Sequence, residues 1–331
     1  MPLHDVGYRA WSGERRWRVL RWLVIAWTGI QLVWRGTWLR RTFMLSFIPM
    51  LFMGGGFFIY EQSTTDRGAQ RAVAEILSRN ISIPHVVEAF AEDPVKARYQ
   101  VWASLLLTYV RNLQAFMALI IIGIIAPKLI SYDLRSRGFL LYFSRPVSTL
   151  EYILGKSAVI WSFLVLSITI PALCLYVIGV LISSELNVLW ITWDLPLRIL
   201  AASIVLIVPT TAVALALSSL TSESRYAAFS WFAFWIVGWV SFMVLTSDAA
   251  HRQVRRGPFR GRRFEITVED LELLDRWTFV SPYHVLGKVQ QWVFGLHNSE
   301  SAIWPFVVAV IAVTVASFAI MYYRISAQQK I

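Results

Sequence analysis

The stretch SAVIWSFLVLSITIPALCLYVIGVL, Ser157 to Leu181, contains no charged side chain. As a helix rising 1.5 Å per residue it is roughly 37 Å long, more than the hydrocarbon core of about 30 Å that a spanning helix must cross. Four more stretches read the same way: Thr42 to Tyr60, Ile199 to Leu220, Tyr226 to Thr246 and Ala302 to Tyr323. A sixth, Val101 to Ala126, is interrupted only by Arg111. The expected fold class is therefore an all-α polytopic membrane protein with six transmembrane helices. Composition agrees, because 57% of the 331 residues are hydrophobic and 15% are charged, a balance foreign to soluble domains. The single cysteine, Cys174, excludes a disulfide framework and a cysteine-based metal site.

Ahead of the first span, Trp22 to Trp34 is apolar but too short to cross. Leu20, Leu23, Trp27, Ile30, Trp34 and Trp38 recur at spacings of three and four, and tryptophan favours the headgroup region, so this segment reads as an amphipathic interfacial helix. Arg15, Arg16, Arg18 and Arg21 crowd the stretch before it. No short apolar core with a small-residue cleavage site follows, so the N-terminus is expected to persist.

Orientation comes from the short loops. Lys128, Arg135, Arg137, Arg145 and Lys156 crowd the loop between spans two and three, whereas the loop between three and four offers only Arg198 at its end. The positive-inside rule makes the first of these cytoplasmic, and an even number of spans brings both termini to that side. Residues 1–41 are then a cytoplasmic N-terminus, 42–323 the six-span domain, 127–156 a cytoplasmic loop and 324–331 a cytoplasmic tail. Loops 61–100 and 247–301 lie outside. The whole excess of +11 falls on the cytoplasmic segments, which suits membrane lipids as partners and removes nucleic acid as the explanation of the charge. Loop 247–301 carries a basic run, Arg252 to Arg263, and a Ser281-Pro282 break after which the chain returns toward the membrane surface.

Several chemistries lack their residues. The uncharged spans hold no Asp, Glu, Lys or His, the side chains with which ion-coupled carriers bind protons or sodium. Arg111, followed by Asn112 and Gln114, is the charged exception. It either snorkels to the outer surface or faces a polar cavity between protomers on a translocation path. Gly155-Lys156-Ser157 matches the end of a phosphate-binding loop, yet Leu150 stands where that loop needs its first glycine. His85 with Glu88, and His284 with His297, are too few ligands for a metal. No serine sits in a GxSxG setting. A chain without a coupling acid, nucleotide site or catalytic centre must draw work from another chain, so it is not expected to be an enzyme.

The place for that chain to attach is Pro127 to Lys156, PKLISYDLRSRGFLLYFSRPVSTLEYILGK. Asp133, Gly138, Ser144-Arg145-Pro146-Val147-Ser148, Glu151 and Gly155-Lys156 follow the order found in the permease subunits of type-2 ATP-binding-cassette transporters, the exporter-like class, which this chain resembles over most of its length. It departs from that family at Phe139, where threonine is commoner, and in its larger outer loops. The resemblance implies a short coupling helix between spans two and three, a separate ATPase subunit that binds ATP and magnesium while this chain holds no cofactor, and a second permease copy. Arg135, Arg137 and Arg145 are the expected charged contacts with the ATPase. Phe139 to Phe143 give apolar purchase, and Asp133, Gly138, Pro146, Glu151 and Lys156 complete the coupling set.

The expected function is conversion of ATP binding and hydrolysis by the partner into export, or mechanical remodelling, of a hydrophobic or amphiphilic substrate. The alternative is a non-transporting scaffold that anchors a partner complex. A lipid-modifying enzyme ranks last, because carboxylates are not clustered at one depth. A cysteine introduced at Gly257 is predicted to react with a membrane-impermeant thiol reagent added outside intact cells. Labelling only after permeabilisation would overturn the last two spans of this topology.

Overall fold

The structure, a computed structural model, describes residues 21–64, 86, 89–90, 93, 95–136, 138, 147–183, 187–247, 275–297 and 302–328. Arg137, Phe139 to Phe143, Ser144, Arg145, Pro146, the Arg252 to Arg263 run, the arginines before residue 21, His85 and Glu88 lie outside the described residues. Among the described residues there is no strand, and six helices are long and apolar enough to cross a membrane. They are Thr37–Ser63, Arg98–Arg135, Thr149–Ile182, Leu195–Ser219, Ser224–Leu245 and Trp304–Ala327, spans one to six below. The protein is an all-α polytopic membrane protein.

Each span runs past the uncharged stretch that predicted it, or begins before it, because helices here end on turn geometry and not on the first charge. Glu61, Arg98, Asp133, Glu151 and Lys156 thus belong to the same candidate spanning helices as the uncharged stretches 42–60, 101–126 and 157–181, just beyond those bounds. Burial orders the bundle. In their most apolar stretches spans two and four are 56% and 61% buried, against 17%, 11% and 17% for spans one, five and six. Spans two and four therefore form the centre. The outer helices turn Leu51, Phe52, Phe229, Val237 and Val308 outward, an arrangement that only hydrocarbon tolerates over so many residues.

Without water, backbone and hydroxyl groups must find partners inside the protein. Thr210 and Ser104 donate back to the carbonyls of Leu206 and Val101. At the proline breaks the adjustment is larger. Pro49 interrupts span one, the Met50 amide bonds to the Phe47 carbonyl, and the Ser46 carbonyl so released accepts from Gln114 Nε2 of span two at 2.8 Å. Pro171 has no N–H to offer the turn before it, and Val165–Thr169 widens there into a π-helix. A second π-helix, Tyr109–Gln114, includes Arg111 and Asn112.

The expected helix before span one is present as Arg21–Trp34, but the face it buries differs from the one its period suggested. Ile25 and Ala26 are buried, while Leu23, Trp27 and Trp38 are exposed. Its bed is span three, where glycines let two helices close up. A Cβ at Gly155 would lie 2.8 Å from Ile25 Cβ and 3.0 Å from the Trp22 carbonyl. Trp34 then stacks on Phe163, ring centroids 5.8 Å apart. Gly155→Leu is predicted to lower stability by about 1–3 kcal/mol, the usual cost of overpacking, read as a lower melting midpoint of the purified protein. Gly55→Ala, where nothing lies within 4 Å, leaves the midpoint unchanged or raises it. Equal losses in both would show that the helix is not docked through Gly155.

Candidate functional site

Of the residues that the sequence marks for coupling, Asp133, Arg135, Gly138, Glu151 and Lys156 are described, and they lie at the end of the bundle where spans two and three, spans four and five, and the C-terminal end of span six come together. Span two continues beyond Pro127 to Ile130, bends there, and adds the short turn of helix Ser131–Arg135. The Ser136 amide closes it on the Tyr132 carbonyl at 2.9 Å, and the Gly138 amide bonds to the Asp133 carbonyl at 2.9 Å. A Cβ at Gly138 would meet Asp133 Oδ1 at 3.6 Å, an ordinary contact, so the fold alone does not demand glycine there.

Three sets of bonds hold this segment. At its start, the Ser131 amide donates to Ser218 Oγ at 3.1 Å and Ser131 Oγ donates to the Ser218 carbonyl at 2.8 Å, which fixes it to the end of span four. In its middle, Asp133 Oδ2 accepts from Lys156 Nζ at 2.7 Å and from the Tyr152 hydroxyl at 2.7 Å, both on span three. At its end, Arg135 reaches Glu223, in the turn between spans four and five, at 3.4 Å.

These bonds differ in weight. The Lys156 and Asp133 side chains are 7% and 13% exposed, and those of Arg135 and Glu223 are 67% and 35% exposed. The Lys156 ammonium also lies over the Tyr152 ring, 5.4 Å from its centroid. An exposed pair contributes roughly 0–1 kcal/mol, whereas removing one partner of a buried pair typically costs about 3–5 kcal/mol, because the other charge is stranded. Asp133 and Lys156 are thus turned into the bundle and pair with each other. Arg135 is the described member of the coupling set that projects a cation outward. Glu151 closes a capping box on Ser148, with its amide donating to Ser148 Oγ at 3.2 Å and Ser148 N–H donating to Glu151 Oε2 at 2.8 Å. Its position is explained by starting span three at the right residue. Gly155-Lys156-Ser157 lies within that helix.

At the opposite end a second buried pair joins spans one and two. Arg98 Nη2 is 3.4 Å from Glu61 Oε2, their side chains 3% and 6% exposed, and Trp102 Nε1 donates to Glu61 Oε1 at 3.2 Å. Sequence reading missed it because each charge was used to mark a helix end. Opposite charges facing each other across a loop were the available signal. Asp194 accepts from Arg198 Nε at 2.7 Å and from the Tyr99 hydroxyl at 2.8 Å, and Arg198 donates to the Val293 carbonyl at 2.8 Å. That bond anchors the short helix Pro282–Val293, which packs against spans four, five and six.

Of Arg111, Asn112 and Gln114, marked for a translocation path, the first two meet Tyr283 and the third lies apart from it. Gln114 is fully buried and clamps Ser46 and the Tyr109 hydroxyl. Asn112 accepts from the Tyr283 hydroxyl at 2.8 Å. Arg111 does not snorkel to a surface: it lies beneath the short helix, 5.7 Å from the Tyr283 ring centroid, and its guanidinium fills the place a side chain at Gly287 would need. On that helix, burial first and then the Arg111 charge push the His284 imidazole from 6.5 down to about 4, while its ring stacks on Phe242 at 3.6 Å. Among the described residues no group of three His, Cys, Asp or Glu is arranged to hold a metal. No protein-family model and no curated protein matches the chain.

Two measurements check this geometry. Asp133→Leu and Lys156→Met are each predicted to destabilise the protein by about 3–5 kcal/mol, and the double variant to recover most of that loss. Additive losses would mean that the two groups do not pair. Because the folded form holds His284 below its ordinary value, the unfolded chain takes up a proton first as pH falls. Stability is complete above 6.5 and declines toward about 4, and His284→Gln removes that part of the decline. An unchanged pH profile in the variant would show that the imidazole is not held neutral by its surroundings.

Proposed function

We propose that this chain is the permease subunit of an ATP-binding-cassette transporter, working as a dimer in the inner membrane with its termini cytoplasmic and powered by a separate ATPase. The observation that carries this reading is the junction at Ser131–Arg135. A five-residue helix at the end of span two is bonded through Ser218 to span four, through a buried ion pair to span three and through Glu223 to the turn before span five.

A push on such a segment is delivered to four spans at once, since a close-packed interior transmits displacement instead of absorbing it. Arg135 gives the pushing chain a charged handle, and the adjoining residues through Arg145 add cations and an apolar run. The spans themselves favour a hydrophobic or amphiphilic substrate. Their exposed faces are apolar, so such a molecule reaches the protein from the bilayer without leaving hydrocarbon.

Affinity capture of the full-length protein from gently solubilised membranes is predicted to bring a stoichiometric ATP-binding-cassette ATPase. Arg135→Ala combined with Arg145→Ala reduces its recovery without loss of the permease from the membrane. Capture of other partners with no ATPase would instead support a scaffold that transports nothing.

A further inference from the structure

Two side chains that line the same small space each carry a buried N–H donor without an acceptor. The donors are Arg111 Nε and Trp235 Nε1, and both side chains line a cavity of about 10 Å³ closed by Ala115, Leu206, Tyr283 and Gln290. The neighbouring donors point elsewhere, the Tyr283 hydroxyl to Asn112 and Gln290 Nε2 to the Ala202 carbonyl at 3.3 Å, and the Tyr283 oxygen is a neutral partner for the Arg111 guanidinium. Among the described residues no carboxylate pairs with Arg111, and its cationic contact is the Tyr283 ring. A guanidinium in the interior of a spanning bundle without an anion is costly, and a second orphan donor beside it points to a missing acceptor with negative charge.

Trp235 and Leu286 are walls of this space and also of a larger cavity of about 200 Å³ between spans four, five and six and the short helix. That cavity is lined by Pro209, Val213, Phe234, Phe279, Val285 and Val310. It offers hydrocarbon contacts to the same Trp235 side chain that borders the space beside Arg111.

We propose that Arg111 and Trp235 bind the oxyanion headgroup, a phosphate or carboxylate, of a single-chain or membrane amphiphile whose hydrocarbon tail occupies the adjoining apolar cavity. Arg111 supplies the charge and Trp235 a neutral donor. The space beside the guanidinium has room for about one water, so the headgroup enters as the indole swings aside, opening the two cavities into one. The proposal rests on the permease reading for its purpose, since it names the substrate class. It is tested without the ATPase, so either can fail alone.

The probe is dodecyl phosphate with a bromine at the chain end, titrated into the full-length protein in phosphatidylcholine nanodiscs and read by quenching of tryptophan fluorescence. The expected result is a saturable component above linear partitioning, weakened roughly tenfold or more in Arg111→Gln, as fits loss of a charge-assisted bond. The same component is largely retained in Arg111→Lys. Trp235→Phe, which keeps the ring and removes the donor, weakens displacement by unlabelled dodecyl phosphate by a few-fold, and it carries the test if Arg111→Gln fails to fold. Unlabelled phosphatidylglycerol that displaces the probe identifies a membrane lipid as the source, and displacement by dodecyl phosphate alone identifies a single-chain cargo. The proposal is overturned by equal binding in wild type and Arg111→Gln, which would leave water or an acid of this chain as the partner. Displacement by inorganic phosphate as effective as by the amphiphile would also overturn it, because the site would then be one for a free anion.

Discussion

Inside a bilayer each polar group that folding removes from water must be satisfied by the protein itself, and an unpaired one costs several kcal/mol. This constraint explains the six long helices, the threonines and serines that donate back along their own spans, and the capture of the Ser46 carbonyl by Gln114 where Pro49 breaks the ladder. It also sorts the charges. Glu61 is matched by Arg98 at one end of the bundle and Asp133 by Lys156 at the other. Arg111 and Trp235 are among the side chains that keep a buried atom without a partner, and both line one small space.

Pairing at the two ends has different consequences because the chain is arranged differently there. The Glu61–Arg98 pair joins consecutive spans and closes the beginning of span two. Asp133–Lys156 holds a separate short helix that also touches the turn between spans four and five. The first arrangement braces a helix pair. The second gathers several spans around a segment whose root is buried and whose outward face carries the exposed Arg135.

The six spans were legible because lack of charge over about 20 residues has one physical meaning. Their ends were less legible: at Glu61, Arg98 and Lys156 a charge was read as a border, although a paired charge sits within a helix without ending it. The face of Arg21–Trp34 was hidden for a related reason. Leu23 and Trp27 face outward and Ile25 and Ala26 face span three, so both sides are apolar and a period search finds no contrast between them. Asp133 and Lys156 were marked by resemblance, but their bond depends on the bend at Ile130 and the start of span three, which spacing does not encode. Arg111 drew attention as a lone charge. Its neighbours Tyr283, Gly287 and Trp235 lie more than a hundred residues away, and only the packed bundle brings them together.

The central claim is that Ser131–Arg135 moves as one piece with span three because Asp133 and Lys156 lock them together. The most direct measurement is the distance between spin labels at Ser136 and Leu154, both exposed, in a complex reconstituted with the proposed ATPase partner, before and after addition of a non-hydrolysable ATP analogue. The account predicts that this distance is unchanged by nucleotide, while that between Ser136 and Trp190, at the far end of the bundle, shifts. A nucleotide-dependent change between Ser136 and Leu154 with the far end stationary would contradict it, because the short helix would then be swinging free of the span it is said to drive.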